Sequence, residues 1–430
     1  MSAWAAVAVV LLTGLGLVRL VAPRIALAPS LATVPMFGMM ATVAWLALLD
    51  VVGVRWSPLA LLPLPIIALA AGWRGVARLE AAHRADVWLW LAIAVVVTHA
   101  ALLAAVPSFS WDFRYDWGLK ARVFAAAGCH DGAWLSAPSH AFVHPSYPPL
   151  WPDLLAVGVV LGGTLETAGA VWHATLAVGL AAACWFLAAP APRWARTLAS
   201  AAGAWPMVLS WPSYTGNAEP LVAYLVAAGL VGLLQMDGRA RMWTVAASGA
   251  ALALAKQEGM ALGLGLVIAA WAALPRGQAA RATSAWAGAT GCWQLFLMYH
   301  GIHVREYSPS WTRVAHHLSV LVPSVVQAVK PKDLVLLGLW VVVLTVVEGR
   351  PAASLRRIVA VWAAAVAGAY LTTNSDLSWH LLSSLDRVMA APLPAAAAAL
   401  VGSQRWPSRT PGPADPRAPQ VHGGAGKAHS

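Results

Sequence analysis

From residue 3 onward the chain alternates long apolar runs with short polar breaks, and no stretch shows the strict in-out alternation of a strand. Runs of roughly 17 to 22 apolar residues, wound as helices, match a hydrocarbon core about 30 Å thick, and helices satisfy their own backbone hydrogen bonds in lipid. The pattern predicts membrane helices over 3–22, 31–53, 57–73, 87–106, 167–188, 197–211, 217–235, 242–256, 258–274, 285–299, 331–347, 358–373 and 387–402. The apolar stretches 150–162 and 318–329 are too short or too interrupted to span, so they are expected to be interfacial or re-entrant. The predicted fold class is therefore all-α: a polytopic transmembrane helical bundle of about 13 helices, within a range of roughly 11 to 14, with interfacial helices in the first large outer loop. Segment 3–22 lacks a basic leader and a cleavage site, and is expected to be the first membrane helix.

Composition narrows this further. The 430 residues are 60% hydrophobic and only 10% charged, with mean hydropathy +0.68, outside the range of soluble globular domains. The formal charge of +11 comes from basic residues scattered at helix ends, not gathered into a patch or arm, so no nucleic-acid partner is expected. Of the three cysteines, Cys184 and Cys292 lie in apolar runs and Cys129 in a polar loop, which gives neither a disulfide framework nor a CxxC site. No HExxH or DxD occurs, so no cofactor is expected, and a divalent metal is left open with no motif to support it. GLGL at 263–266 sits inside an apolar run with no preceding strand and reads as helix packing.

The breaks between runs fall into two sets. One carries Arg74, Arg78 and Arg84; Arg193 and Arg196; Arg239 and Arg241; Arg276 and Arg281; Arg350, Arg356 and Arg357; and a tail with Arg405, Arg409, Arg417 and Lys427. By the positive-inside rule that set is cytoplasmic. The other set, at 107–149, 212–217, around 257, 300–317 and 374–386, is nearly charge-balanced and is expected to face outward. The tail 403–430, rich in Pro, Gly and Arg, is expected to be disordered and cytoplasmic.

Candidate chemistry lies in the outward set. WDFRYDWGLK, residues 111–120, opens the longest loop. Read as a helix it stacks Asp112, Asp116 and Lys120 on one side and Phe113, Trp117, Ala121 and Phe124 on another, an amphipathic helix on the membrane surface. On the plainest reading Asp116 and Lys120 form only an i,i+4 pair of about 0.2–0.5 kcal/mol. The same face, however, also carries His144 and Tyr147 in HPSYPPLWP, Glu219 in TGNAEP, Lys256 and Glu258 in LAKQEG, and Asp386 and Arg387 in SSLDR. Ionisable groups at membrane depth cost roughly 2.5–3.5 kcal/mol each, so several on one side point to one shared polar cavity. The outer histidines His130, His140, His144, His300, His303, His316, His317 and His380 read mostly as surface or interface residues.

These motifs resemble the bacterial members of the GT-C glycosyltransferase superfamily, integral membrane enzymes similar to protein O-mannosyltransferases and lipid A aminoarabinose transferases. The likeness rests on an aromatic-flanked Asp112, a W-x-x-K-x-[KR] helix (Trp117, Lys120, Arg122), H-P-x-Y-P-P-L at 144–150, the helix-end Glu219, K-x-E-G at 256–259 and L-D-R at 385–387. It covers about residues 87–400 and leaves 1–86 as N-terminal transmembrane helices of unassigned role. The resemblance implies transfer of a sugar from a polyprenyl-phosphate donor at the outer face of the cell membrane, with an acidic residue of the first outer loop as base. Many relatives carry two adjacent acidic residues there, whereas Asp112 and Asp116 are four apart, and the choice between them stays open. Lys120, Lys256 and Arg387 are the candidates for the donor phosphate; His144, Tyr147, Glu219, Glu258 and Asp386 are candidates for contacting substrate. The acceptor is an unspecified glycan, lipid or protein, and membrane lipids surround the chain. The competing readings are a transporter, whose pathways also hold intramembrane charges, and a membrane protein without chemistry.

Overall fold

The computed structural model describes residues 3–22, 27–76, 109–208, 216–304, 306–307 and 309–404, with a few positions between 90 and 98. Most of the predicted helix 87–106 and the tail beyond Gln404 lie outside the described residues. Among them the molecule is helical: α1 (Ala3–Val21), α2 (Leu27–Val51), α3 (Pro58–Leu61) and α4 (Pro63–Val76) precede the outer loop. The loop contains a π-helical turn (Phe113–Trp117), α5 (Gly118–Ala127) and α6 (Gly132–Ser136). Then follow α7 (Leu150–Val160), α8 (Leu165–Leu187), α9 (Arg193–Val208), α10 (Glu219–Gln235), α11 (Gly238–Ala255), α12 (Gln257–Ala273) and α13 (Arg276–Tyr299). The chain ends with α14 (Trp311–Ala328), α15 (Pro331–Val346), α16 (Gly349–Thr372), α17 (Leu377–Ala390) and α18 (Leu393–Ser403).

Among the described residues, five helices are long and apolar enough to cross a membrane: Ala3–Val21, Leu31–Val51, Leu165–Leu187, Pro351–Thr372 and Leu377–Ser403. Several others begin upstream of their apolar run, as α9, α11, α13 and α16 do, because Arg, Ala and Gln continue a helix readily and Arg can reach back to the interface. α8 and α10 form the centre, and α10 is buried over almost its whole length. α1 crosses α2 at glycines: a Cβ on Gly14 would lie 1.9 Å from the Val34 carbonyl oxygen, and one on Gly38 equally close to that of Val10. Such close approach is how apolar helices gain packing in lipid. The GLGL segment packs in the same way, Gly263 on Gly249 and Trp286, Gly265 on the Ile358 backbone.

The two stretches read as interfacial differ from each other. Residues 150–162 form α7, which is buried among α1, α2, α5 and α8 and so is an internal helix, not one lying on a surface. Residues 318–329 belong to α14, whose Leu318, Val322 and Val326 are exposed while its other side packs on α16 and α17. The N-terminal helices are part of the same apolar core: α2 packs on α8 and α11, and the Tyr224 hydroxyl of α10 donates to Ala32 O and accepts from Met36 N, each at 3.0 Å.

Candidate active site

Asp112 is placed by the way the outer loop begins. The Ser110 hydroxyl donates to Asn217 Oδ1 and accepts from Phe113 N at 3.1 Å, tying the loop to the turn before α10. Phe113 fills the space over Gly216, which has φ +85° and where a Cβ would lie 2.4 Å from the Phe113 ring. The next turn is not α-helical. Gly118 N–H bonds to Phe113 O, five residues back, so the turn holds one residue more than an α-turn. Around this turn the two carboxylates enter different ionic circuits, Asp112 with Arg387 and Asp116 with Lys120.

Asp112 belongs to the first. It is ion-paired with Arg387 of α17, 275 positions away in sequence. The Arg387 Nε also lies 3.7 Å from Glu219 Oε1 at the start of α10, and the same carboxylate oxygen accepts from Lys256 Nζ at 2.9 Å. Lys256 is a single extended residue between α11 and α12, and its ammonium is also 3.4 Å from Glu258. Arg387 and Lys256 are thus each shared between two carboxylates. Asp386 pairs with Lys332, one residue into α15.

The second circuit holds Asp116. Its carboxylate lies 2.9 Å from Lys120 Nζ, and the pair is buried, with side chains only 5% and 2% exposed. This corrects the surface-pair reading: the ammonium is enclosed by Asp116, the His144 carbonyl at 2.8 Å, and the rings of Trp117 and Tyr147. Burial raises the Asp116 carboxyl above its ordinary range and lowers Lys120, each partly offset by the other's charge. His144 has φ +47°, an uncommon left-handed turn for a residue with a side chain. That turn aims its carbonyl at Lys120 while its Nδ1 meets Glu306 at 3.0 Å. Ser146 also donates to Glu306, at 3.2 Å. Burial opposes ionisation of Glu306, but these hydrogen bonds hold its carboxyl below the usual value.

Both circuits border one cavity of about 480 Å³. Asp112, Asp116, His144, Tyr147, Lys256, Glu258, Asp386 and Arg387 line it. Glu219 lies beneath Lys256 and Arg387, and Lys120 is closed off behind Asp116, so neither lines the cavity. Arg122 points away altogether and pairs with Glu166 at the surface. Lys330, Lys332, Glu306 and Tyr307 also line the cavity, though the motifs did not single them out. The only sequence hints were a Lys-Pro-Lys just before an apolar run and a lone acidic residue in an outward loop. Three atoms at this site, Asp116 Oδ1, Glu258 Oε2 and Arg387 Nε, are buried without a hydrogen bond among the described residues; the first and last still face an ionic partner, and Glu258 Oε2 leaves capacity for a polar ligand.

A third cluster stands apart. His130 was read as a surface histidine, but it is buried, with Nδ1 2.6 Å from Asp50 at the end of α2 and Nε2 2.9 Å from Asp153 in α7. Trp56, Phe124 and Phe296 pack their rings around it. Burial disfavours its charged form, yet the two carboxylates outweigh that and raise it to about 10, so it is an imidazolium at neutral pH. The adjoining Arg55 donates to Ala126 O and Ala127 O and Trp56 N to Gly128 O, so the segment after α2 caps the end of α5.

These features define a chain that is helical among the described residues, with helices long and apolar enough to cross a membrane and an ionic cavity lined from several of its segments. Among solved structures it is similar to ArnT from Cupriavidus metallidurans bound to undecaprenyl phosphate, with 18% identity and a TM-score of 0.45 over 74% of this chain. The chain spans 60% of the length of that protein. No protein-family model and no curated protein matches it.

Proposed function

We propose that the protein is a multi-pass membrane glycosyltransferase, which transfers a sugar from a polyprenyl-phosphate donor to an acceptor hydroxyl at the outer face of the cell membrane, with Asp112 as general base. The observation that carries this reading is one cavity bordered by the carboxylate Asp112 and by the cations Arg387 and Lys256, delivered by three separate segments. Of the two candidate bases, Asp112 is the more open, its side chain 35% exposed. Asp116 is sealed against Lys120, where it serves better to hold the loop.

The geometry supports an ordered event. A donor phosphate entering between Lys256 and Arg387 competes with Asp112 for the guanidinium, which binds phosphate through a planar fork. Once displaced, the Asp112 carboxylate can take the proton of the acceptor hydroxyl. The hydroxyl oxygen bonds to the anomeric carbon as the carbon–oxygen bond to phosphate breaks, and the electron pair leaves with the lipid phosphate, neutralised by Arg387 and Lys256. A single displacement inverts the anomeric centre. Lys330 and Lys332 at the same cavity favour the approach of an anionic headgroup. Undecaprenyl phosphate, the lipid in the ArnT structure, belongs to this class of carrier.

The test is Asp112→Asn, close in shape but a poor proton acceptor. Transfer is expected to fall by about 10²–10⁴-fold while the protein still inserts and still binds undecaprenyl phosphate. Loss of turnover in Asp116→Asn with Asp112→Asn unaffected would move the base to Asp116. Full activity in both single variants and in the double variant would sink the enzymatic reading of this loop.

A further inference from the structure

Beside the ionic cavity lies a second, of about 430 Å³, walled by the first turns of α14 and by the segment that leads into α17. The two share Thr373 and Ser375 in their linings. A short backbone pairing divides them: Tyr307 bridges to Thr373, and Asn374 N–H donates to Glu306 O at 2.8 Å. The partition that carries Glu306 and Tyr307 on the ionic side therefore carries Asn374 on the other.

The chemistry of the second cavity differs from that of the first. Its lining is almost wholly polar, including Thr312, Arg313, His316, His317, Asn374 and Asp376, with only Val320 and Leu377 apolar. His317 is buried and donates from Nδ1 to Leu371 O at 3.0 Å, so in the neutral ring Nε2 is an acceptor. Arg313 is steadied by a bond from Nη1 to Thr373 O at 3.3 Å, which uses one of its donors. Asp376 accepts from Trp379 N at 2.8 Å through one carboxylate oxygen. One guanidinium and one carboxylate oppose each other, and the rest of the polar lining is hydroxyl, amide and imidazole, part of it already bonded within the wall, as Ser310 is to Thr312 and Thr373 to His380.

That balance selects among ligand classes. An apolar chain would strip many polar groups of water without replacing their hydrogen bonds. A phosphorylated group would meet one cation and an opposing carboxylate. A neutral molecule dense in hydroxyls, each both donor and acceptor, matches the lining, and the volume is within the roughly 300–1,000 Å³ of small-ligand sites. We propose that this cavity binds a neutral saccharide portion of the acceptor and presents its hydroxyl past Thr373 and Ser375 to the ionic cavity. The proposal rests on the transferase reading for its purpose, though not for the binding itself.

The experiment uses the full chain in lipid nanodiscs, with maltotriose and N,N′,N″-triacetylchitotriose as neutral probes and glucose 6-phosphate as the charged one, read by saturation-transfer NMR. At least one neutral saccharide is expected to bind, and Thr312→Trp and His316→Trp, each filling the cavity from α14, are expected to abolish its signal. In transfer to that saccharide, Thr312→Trp should raise the acceptor KM by about tenfold or more with kcat little changed, the signature of lost ground-state binding. Equal binding by wild type and both variants, preference for glucose 6-phosphate, or no binding of either neutral probe would each overturn the proposal. Failure of the transferase reading shows elsewhere, as a wild-type protein that does not bind undecaprenyl phosphate, and leaves the saccharide titration to be judged on its own. Both variants are checked for unchanged elution and thermal midpoint before titration.

Discussion

Two ionic clusters border the outer loop, and they are built on opposite plans. In the Asp50–His130–Asp153 cluster one imidazolium is gripped on both ring nitrogens, and aromatic rings close round it. In the cluster around Arg387, each cation is divided between two carboxylates, and the whole borders a cavity. The first arrangement suits a fastener, because no partner can leave without exposing a buried charge. The second suits a site, because an incoming anion can take one share of a cation while the remaining share holds it in place. The difference lies in connectivity more than in residue type.

The comparison can be broken in several ways, beginning with the largest effect. His130→Ala leaves Asp50 and Asp153 facing each other across a hole, and loss of one partner of a buried ionic cluster costs about 3–5 kcal/mol. The thermal midpoint in detergent is expected to drop sharply, while molecules that remain folded still bind undecaprenyl phosphate. An unchanged midpoint would remove the fastener from the comparison. Arg387→Met is expected to do the reverse. It should weaken binding of undecaprenyl phosphate by about 10- to 150-fold, the 1.5–3 kcal/mol of a hydrogen bond to a charged group, with a smaller loss of stability because Lys256 still pairs with Glu219.

A milder test uses pH. His130 is raised from 6.5 to about 10 in the folded state, so the native protein holds that proton more tightly than the unfolded chain does. Its stabilisation is complete below pH 6.5, declines as pH rises, and is gone once pH passes about 10. Midpoints recorded from neutral to alkaline pH should fall along this course, and His130→Gln should flatten that part of the profile. The smallest effect is expected at Arg122, whose pair with Glu166 is 55% and 46% exposed. Arg122→Ala should change stability by about 0–1 kcal/mol and leave donor binding alone. A large loss of donor binding there would show that the loop is read wrongly.

What was legible in the sequence follows from what sequence patterns encode. Apolar runs report burial in lipid directly, so α1, α2, α8 and α10 were visible within a few residues. The grouping of Asp112, Glu219, Lys256 and Arg387 at one end was also visible, because a membrane sorts loops to two sides and charges on one side have few places to go. Partner choice was not. Lys120 looked like an exposed cation because helical spacing gives direction without depth, and HPSYPP closes over it by a left-handed turn at His144 that no periodicity records. The His130 cluster was hidden for another reason: Asp50 ends one apolar run and Asp153 sits within another, so each looked like an isolated exception. Glu306 carries no motif and takes its place only from the Asn374 and His144 contacts.

The wide turn at 113–117 has a consequence for insertions and deletions. With Gly118 bonded back to Phe113, that turn contains one residue more than the α-helix following it needs. Removing the codon of Arg114 or Tyr115 would restore an ordinary helical turn without displacing α5. It would also rotate Asp112 relative to Asp116, and so break the register that now delivers one carboxylate to Arg387 and the other to Lys120. A reading-frame-preserving loss of three nucleotides, silent by most measures of hydropathy, would thus be among the most damaging small changes this loop can suffer. An added residue elsewhere in α5 would not repair it.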